Sequence, residues 1–139
     1  MKRVIIESPY FAEEGTNRQR NIMYARACVK DSLERGEAPI ASHLLHTQPG
    51  ILDDFNPDQR KQGIKAGHAW IKAADLVAVY INLGLSPGMK DGIEAAEKQG
   101  TPYEFRKLSD WPLNREALSF AKIVETCKAY VHGIPLQGF

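Results

Sequence analysis

The run Leu76-Val77-Ala78-Val79-Tyr80 constrains this chain more than any other feature. It is apolar throughout, without the polar alternation of a strand that keeps one face in water. Such a strand belongs in the middle of a parallel sheet covered on both faces. Three further runs read as strands: Val4-Ile5-Ile6, closed by Ser8-Pro9; Ala38-Pro39-Ile40-Ala41-Ser42; and Thr101-Pro102-Tyr103-Glu104-Phe105. Helical patterns fill the intervals. Residues 18–35 place Ile22, Ala25, Val29 and Leu33 on one face, with Gly36 as the C-cap. Asn56 and Pro57 start a helix that runs to about residue 73, with Ile64, Gly67, His68 and Ile71 together. Ser86 caps a third helix that starts at Pro87 and ends near Gly100, and a fourth covers about 115–130. Residues 132–139 form an irregular tail rich in Gly and Pro. Alternating strands and helices predict an α/β fold: a doubly wound, mostly parallel sheet of four to five strands, helices on both faces, Rossmann-like, in one domain spanning 1–139.

Composition removes several function classes. Eighteen Lys and Arg against 17 Asp and Glu leave a net charge of +1 over 139 residues, so no polybasic surface for nucleic acid is expected. Glu7 stops the first apolar run well short of the roughly 7–15 residues of a secretory signal. No run approaches the ~20 apolar residues that cross a bilayer, so neither a membrane partner nor export is expected, and the reading is cytoplasmic. The two cysteines, Cys28 and Cys127, form no CxxC pair and read as reduced core thiols. No metal and no cofactor is expected.

In open parallel sheets, ligands sit beyond the carboxyl ends of the strands, which singles out the loops 8–18, 42–56 and 81–90. The first offers Ser8, Pro9 and Tyr10 at a strand end, with Asn17 and Arg18 where the helix begins. Tyr10 is suited to stack on a base or to hydrogen-bond a sugar. The second holds His43, His46, Asp53 and Asp54; the spacing is not that of a zinc site, and His43 reads as a ligand-lining residue. The third runs from Asn82 to Ser86-Pro87-Gly88-Met89 and straight into a helix whose free N–H groups suit an anion. Gly88 allows close approach of a ligand to the backbone, and Lys90 adds a positive charge in the first turn. Asp75, just before the central strand, either faces a ligand or caps backbone groups where helix and strand meet.

These segments resemble the nucleoside 2-deoxyribosyltransferases. Residues 4–10 are similar to the first strand and Pro-Tyr loop of those enzymes, Ala74-Asp75 and the run after it to their Ala-Asp-apolar strand, and Ser86-Pro87-Gly88-Met89-Lys90-Asp91-Gly92 to their Gly-x-Gly-Met-Glu-x-Gly helix start. Over about residues 1–108 the chain more closely resembles a set of small uncharacterised proteins from phage and actinobacterial genomes, through Arg35-Gly36-Glu37-Ala38-Pro39-Ile40-Ala41-Ser42-His43-Leu44-Leu45 and Thr47-Gln48-Pro49-Gly50. The resemblance implies a deoxyribosyltransferase-like fold and a pocket for a nucleoside or nucleotide. It also implies a homo-oligomer, since those enzymes complete their pockets with a neighbouring subunit. The family's reaction uses a glutamate that attacks the anomeric carbon and a second carboxylate that manages a proton. Here Lys90 stands at the glutamate's position, and Ala66-Gly67-His68-Ala69 matches the segment of the second acid. A protonated ammonium is no nucleophile.

The expectation is therefore a nucleotide-binding protein that does not turn its ligand over. The phage resemblance extends this to a sponge that sequesters an NAD-derived or cyclic nucleotide immune signal. Its ligand-binding residues are Ser8, Pro9, Tyr10, Arg18, His43, Asp75, Asn82, Ser86, Gly88, Met89 and Lys90. The rival expectation is an enzyme that cleaves or transfers at an N-glycosidic bond with Asp91, His68 and Glu94 as its acids and bases.

Overall fold

The computed structural model describes residues 1–12 and 15–112. The expected final helix, the tail and Cys127 lie outside them. Four strands, β1 (Arg3–Glu7), β2 (Ala38–Ile40), β3 (Leu76–Tyr80) and β4 (Tyr103–Arg106), form one parallel sheet in the order β2-β1-β3-β4. The register pairs Val4 with Leu76, Ile5 with Val77, and Val77 with Tyr103. The helices are α1 (Gly15–Glu34), α2 (Ser42–His46), α3 (Pro57–Ile71) and α4 (Pro87–Gln99). The fold is the expected α/β sheet with both faces covered, and every residue of β3 is buried.

Strand alternation divides the core in two. Val4, Ile6, Ala78 and Tyr80 pack with Tyr24 and Cys28 of α1 on one face. Ile5, Val77 and Val79 pack with Ile71 of α3 and with Met89, Ile93 and Ala96 of α4 on the other. Burying each such aliphatic side chain contributes about 1.5–3 kcal/mol, so the apolar strands specify the sheet.

Local signals set the helix ends. Asn56 caps α3 by accepting from the amides of Asp58 (3.0 Å) and Gln59 (3.2 Å). Ser86 caps α4 through the amide of Met89 (3.2 Å), and Gly100 ends it with φ 72°, a left-handed conformation that favours glycine.

Two expectations are corrected. Leu33 is 57 % exposed, because Asn21 and Ser32 take buried places on α1 beside Tyr24, Ala25 and Cys28. Polar residues on the inner face had shifted the apparent stripe. The segment after β2 is not all loop, since Ser42 opens the one-and-a-half-turn α2. Among the described residues no helix is long and apolar enough to cross a membrane.

Candidate functional site

The strand order creates the site. From β1 the chain moves outward to β2, then returns past β1 to β3 and β4, so the connections leaving β1 and β3 diverge. A crevice opens beyond the carboxyl ends of strands at such a switch point. A cavity of about 350 Å³ lies there, of the size of ordinary small-molecule sites. Its walls come from the end of β1, from α2, from α3 and from the start of α4.

Six of the expected ligand residues line it: Ser8, Tyr10, His43, Ser86, Gly88 and Met89. Ser8 Oγ and His43 Nε2 are 3.0 Å apart, and the Tyr10 ring meets the His43 ring edge-on at 5.0 Å. The Tyr10 hydroxyl lies 2.6 Å from Thr47 Oγ1. Burial lowers the pKa of His43 to about 4, so its imidazole is neutral at pH 7. Burial also lowers that of His68 on α3, with the charge of Asp91 acting the other way. His68 lines the cavity, as the enzyme reading requires.

The other expected residues sit elsewhere. Asp75 is at the amino end of the strands, just before β3, where it accepts from the Arg3 amide (2.8 Å) and pairs with the Arg3 guanidinium (3.2 Å) on the surface. It is the backbone cap of the two alternatives and not a ligand-facing group. Asn82 is 2 % exposed, and its side chain is held by the Tyr24 hydroxyl (2.9 Å) and by the amide and carbonyl of Leu108 (2.7 and 3.0 Å). That network anchors the chain after β4 and leaves no atom for a ligand. Pro9 is buried outside the cavity wall. Arg18 donates to the carbonyl of Ala12 and lies over the Phe55 ring at 4.4 Å, also outside the wall. Lys90 is exposed on α4 and does not line the cavity, because the first turn directs Met89, not Lys90, inward. Asp91 and Glu94 are exposed as well, and Glu94 pairs with Lys98 (3.5 Å).

Two contributors went unread in the sequence. Arg60 lines the cavity with its guanidinium stacked 3.8 Å from the Phe11 ring centroid. Phe11 in turn meets Phe55 edge-on at 5.7 Å. Asp54 is in the same wall, its pKa raised by burial against the opposing charge of Arg60. The second is Glu7. It ends β1 on the same face as Ile5, and its carboxyl packs against Gly92 of α4. Burial, with the nearby charge of Asp91, pushes its pKa up to about 8. Strand alternation was the available signal: counting by two from Ile5 puts Glu7 on a face that a helix must cover.

The wall thus presents Ser8, Tyr10, Glu7 and a neutral His43 opposite Arg60, Asp54 and the start of α4. Groups of these kinds can hydrogen-bond hydroxyls and heterocycle edges.

The solved structures similar to this chain include a 2-deoxyribosyltransferase from Bacillus psychrosaccharolyticus, at 16 % identity, TM-score 0.54, over 84 % of this chain and 80 % of that one. A Clostridium botulinum CMP N-glycosidase, BcmB, matches at 16 % identity and TM-score 0.43, over 78 % and 71 %. The first of these likenesses shows a deoxyribosyltransferase-like fold. No curated protein matches the chain in sequence. Residues 2–106, which contain all four strands and the whole cavity wall, match the family described as a domain of unknown function, DUF7768, and the chain belongs to that family.

Proposed function

We propose that the cavity binds a nucleoside or nucleotide and that the chain captures it without turning it over. One observation carries the reading: neutral polar groups, Ser8, Tyr10, His43 and Glu7, converge at the switch point with the N-terminal turn of α4. A sugar and base suit the neutral groups, and a phosphate suits the Arg60 guanidinium and the positive end of the α4 dipole. The fold shared with a 2-deoxyribosyltransferase supports a nucleoside-like ligand by analogy. Lys90, at the position of the transferases' nucleophile, supports capture over turnover, because it is exposed and outside the wall. Capture without turnover is what a sponge for an NAD-derived or cyclic nucleotide signal does, and the likeness to phage proteins is what speaks for that role. A homo-oligomer, proposed on the resemblance to the transferases, is checked by sedimentation.

The test is to incubate the protein with common nucleosides, their 5′-monophosphates, NAD and cyclic nucleotides, then denature it and identify the retained compounds. Stoichiometric recovery of an intact compound is expected. Conversion beyond one equivalent overturns capture.

One observation favours the enzyme as second reading: the charge of Asp91 acts on both Glu7 and His68, a coupling typical of acid–base sites. Under that reading, turnover of a nucleoside or nucleotide at its N-glycosidic bond disappears in Asp91→Asn. Glu94 has no part in it, being paired to Lys98 on the surface.

A further inference from the structure

Glu7 is the one acidic side chain at the end of β1, and its surroundings are unusual for a carboxylate. It lines the cavity. Its Oε1 lies only 2.5 Å, and its Cδ 2.6 Å, from where a Cβ at position 92 would be, so the absence of a side chain at Gly92 makes its berth. It accepts no hydrogen bond and makes no ion pair with any described residue. The titratable and charged groups around it come from every packed element. Asp91 lies on α4, with Lys90 exposed beside it; His68 lies on α3, and His43 and His46 on α2; Tyr10, Asp54 and Arg60 also line the wall. The charge that acts on Glu7 is the negative one of Asp91. The amides of Met89 and Lys90 in the first turn of α4 already donate to Ser86 and are not available to it.

An ionised carboxylate in this berth has no protein donor among the described residues and is repelled by the charge of Asp91, which is a costly arrangement. A neutral carboxylic acid avoids both penalties and leaves one O–H directed by default to whatever enters the cavity.

We propose that Glu7 is a protonated acid that donates a hydrogen bond to an acceptor atom of the bound ligand, so that the cavity selects ligands presenting a carbonyl or ring nitrogen at β1 and releases them in alkali. This rests on the reading that the cavity takes a nucleoside-like ligand, and it names the chemistry by which that ligand is recognised. The acid's pKa of about 8 sets the range in which release occurs.

The experiment has one arm without ligand and one with it. Carbon-detected NMR of the side-chain carboxyls, with the Glu7 signal assigned through Glu7→Gln, follows ionisation directly. A midpoint near 8 is expected, and a midpoint near the usual 4.5 overturns the proposal whatever binds. For binding, the common nucleosides and their 5′-monophosphates are titrated against the protein from pH 6.5 to pH 9.5. The strongest binder is expected to lose about tenfold in affinity for each pH unit above 8, since only the protonated form binds. Glu7→Gln keeps a neutral donor of the same shape, so it binds a few-fold more weakly at pH 7 but shows no alkaline loss. Affinity that rises above pH 8 in the parent protein, or an equal alkaline loss in Glu7→Gln, overturns the proposal while leaving the binding reading intact. No binding by any probe at pH 6.5, with a normal Glu7 midpoint near 8, overturns the binding reading and with it the ligand part of the proposal.

Discussion

Among the described residues, two groups of polar side chains on opposite faces of the sheet are built in opposite ways. On the α1 face, Arg106 is bidentate to Glu37 (2.7 and 2.8 Å), bonds Glu104 (2.7 Å), and lies beside the Tyr80 hydroxyl, which donates to Asp31 (2.7 Å). Its guanidinium side chain is 4 % exposed, and Ser32 adds a bond to Glu37 (2.8 Å). Every charge there has a partner, and Arg106 holds the Glu37 carboxyl below the usual carboxylate range. On the α3–α4 face, Glu7 has no side-chain hydrogen-bond partner among the described residues, and His43 is neutralised by burial with one hydroxyl for its ring. The paired group joins β2 and β4, the two outer strands, through α1, and its chemistry is spent inside the fold. The unpaired group has its chemistry still available. On the proposed function, these cavity-wall groups are the ones that meet the ligand.

The contrast breaks most visibly at Arg106. Replacing it by Met leaves Glu37, Glu104 and the Tyr80 hydroxyl without their donor, and the expected loss is about 3–5 kcal/mol in urea denaturation. A loss below about 1 kcal/mol would mean that the paired network is no more structural than the cavity group.

At Glu7 the sign reverses. Its pKa is raised in the folded protein, so the folded state holds the proton more tightly than the unfolded chain. The associated stability is whole below about pH 4.5 and is lost as pH rises through about 8. Glu7→Gln removes this dependence and is expected to be more stable than the parent at pH 9 by at least about 1.4 kcal/mol, one decade of proton affinity. At pH 4 the two should be nearly equal. Paired denaturation curves at the two pH values check both halves.

His43 runs the other way. Its pKa is depressed to about 4, so its contribution is present above about pH 6.5 and is lost as pH falls toward 4. His43→Gln, which keeps a partner for Ser8, should flatten the stability profile between pH 6.5 and pH 4, with a difference on the order of 1 kcal/mol between the ends. Thermal melts at half-unit steps resolve it. The smallest effect belongs to Lys90. Because its side chain is outside the wall, Lys90→Ala should weaken the best anionic ligand by less than about fivefold, near 1 kcal/mol of screened attraction. A larger loss in calorimetric titration would return Lys90 to the site.

The sheet was legible because β3 and its neighbours are written in unbroken apolar residues, and the ends of α3 and α4 because Asn56, Ser86 and Gly100 act on their own backbone. The start of α4 was legible as a helix start at the strand ends for the same local reason, and Ser86, Gly88 and Met89 line the cavity there. What stayed hidden depends on partners far along the chain. Asn82 looked like a loop residue free for a ligand, yet it is held by Tyr24, 58 residues away. Asp75 is held by Arg3 at a separation of 72. Glu7 looked like the polar end of a strand; only the packing of α4, with a glycine at position 92, turns it into an enclosed acid. The short α2 has no side-chain cap and too few residues to show a period.

The account stands most directly on whether this cavity is where the ligand goes. Gly88 lines the wall, has an ordinary helical backbone, and would have nothing closer to an added Cβ than Ser86 Oγ at 4.0 Å. Gly88→Leu should therefore fold and place an apolar side chain at the start of α4, where ligand atoms would lie. Calorimetric titration of the parent protein and of Gly88→Leu with the common nucleosides and their 5′-monophosphates at pH 7 is the decisive comparison. The account predicts saturable one-site binding of at least one of them to the parent, and a loss of tenfold or more in a Gly88→Leu protein with an unchanged melting temperature. Equal affinity in the two proteins, or no binding by the parent at all, would contradict it.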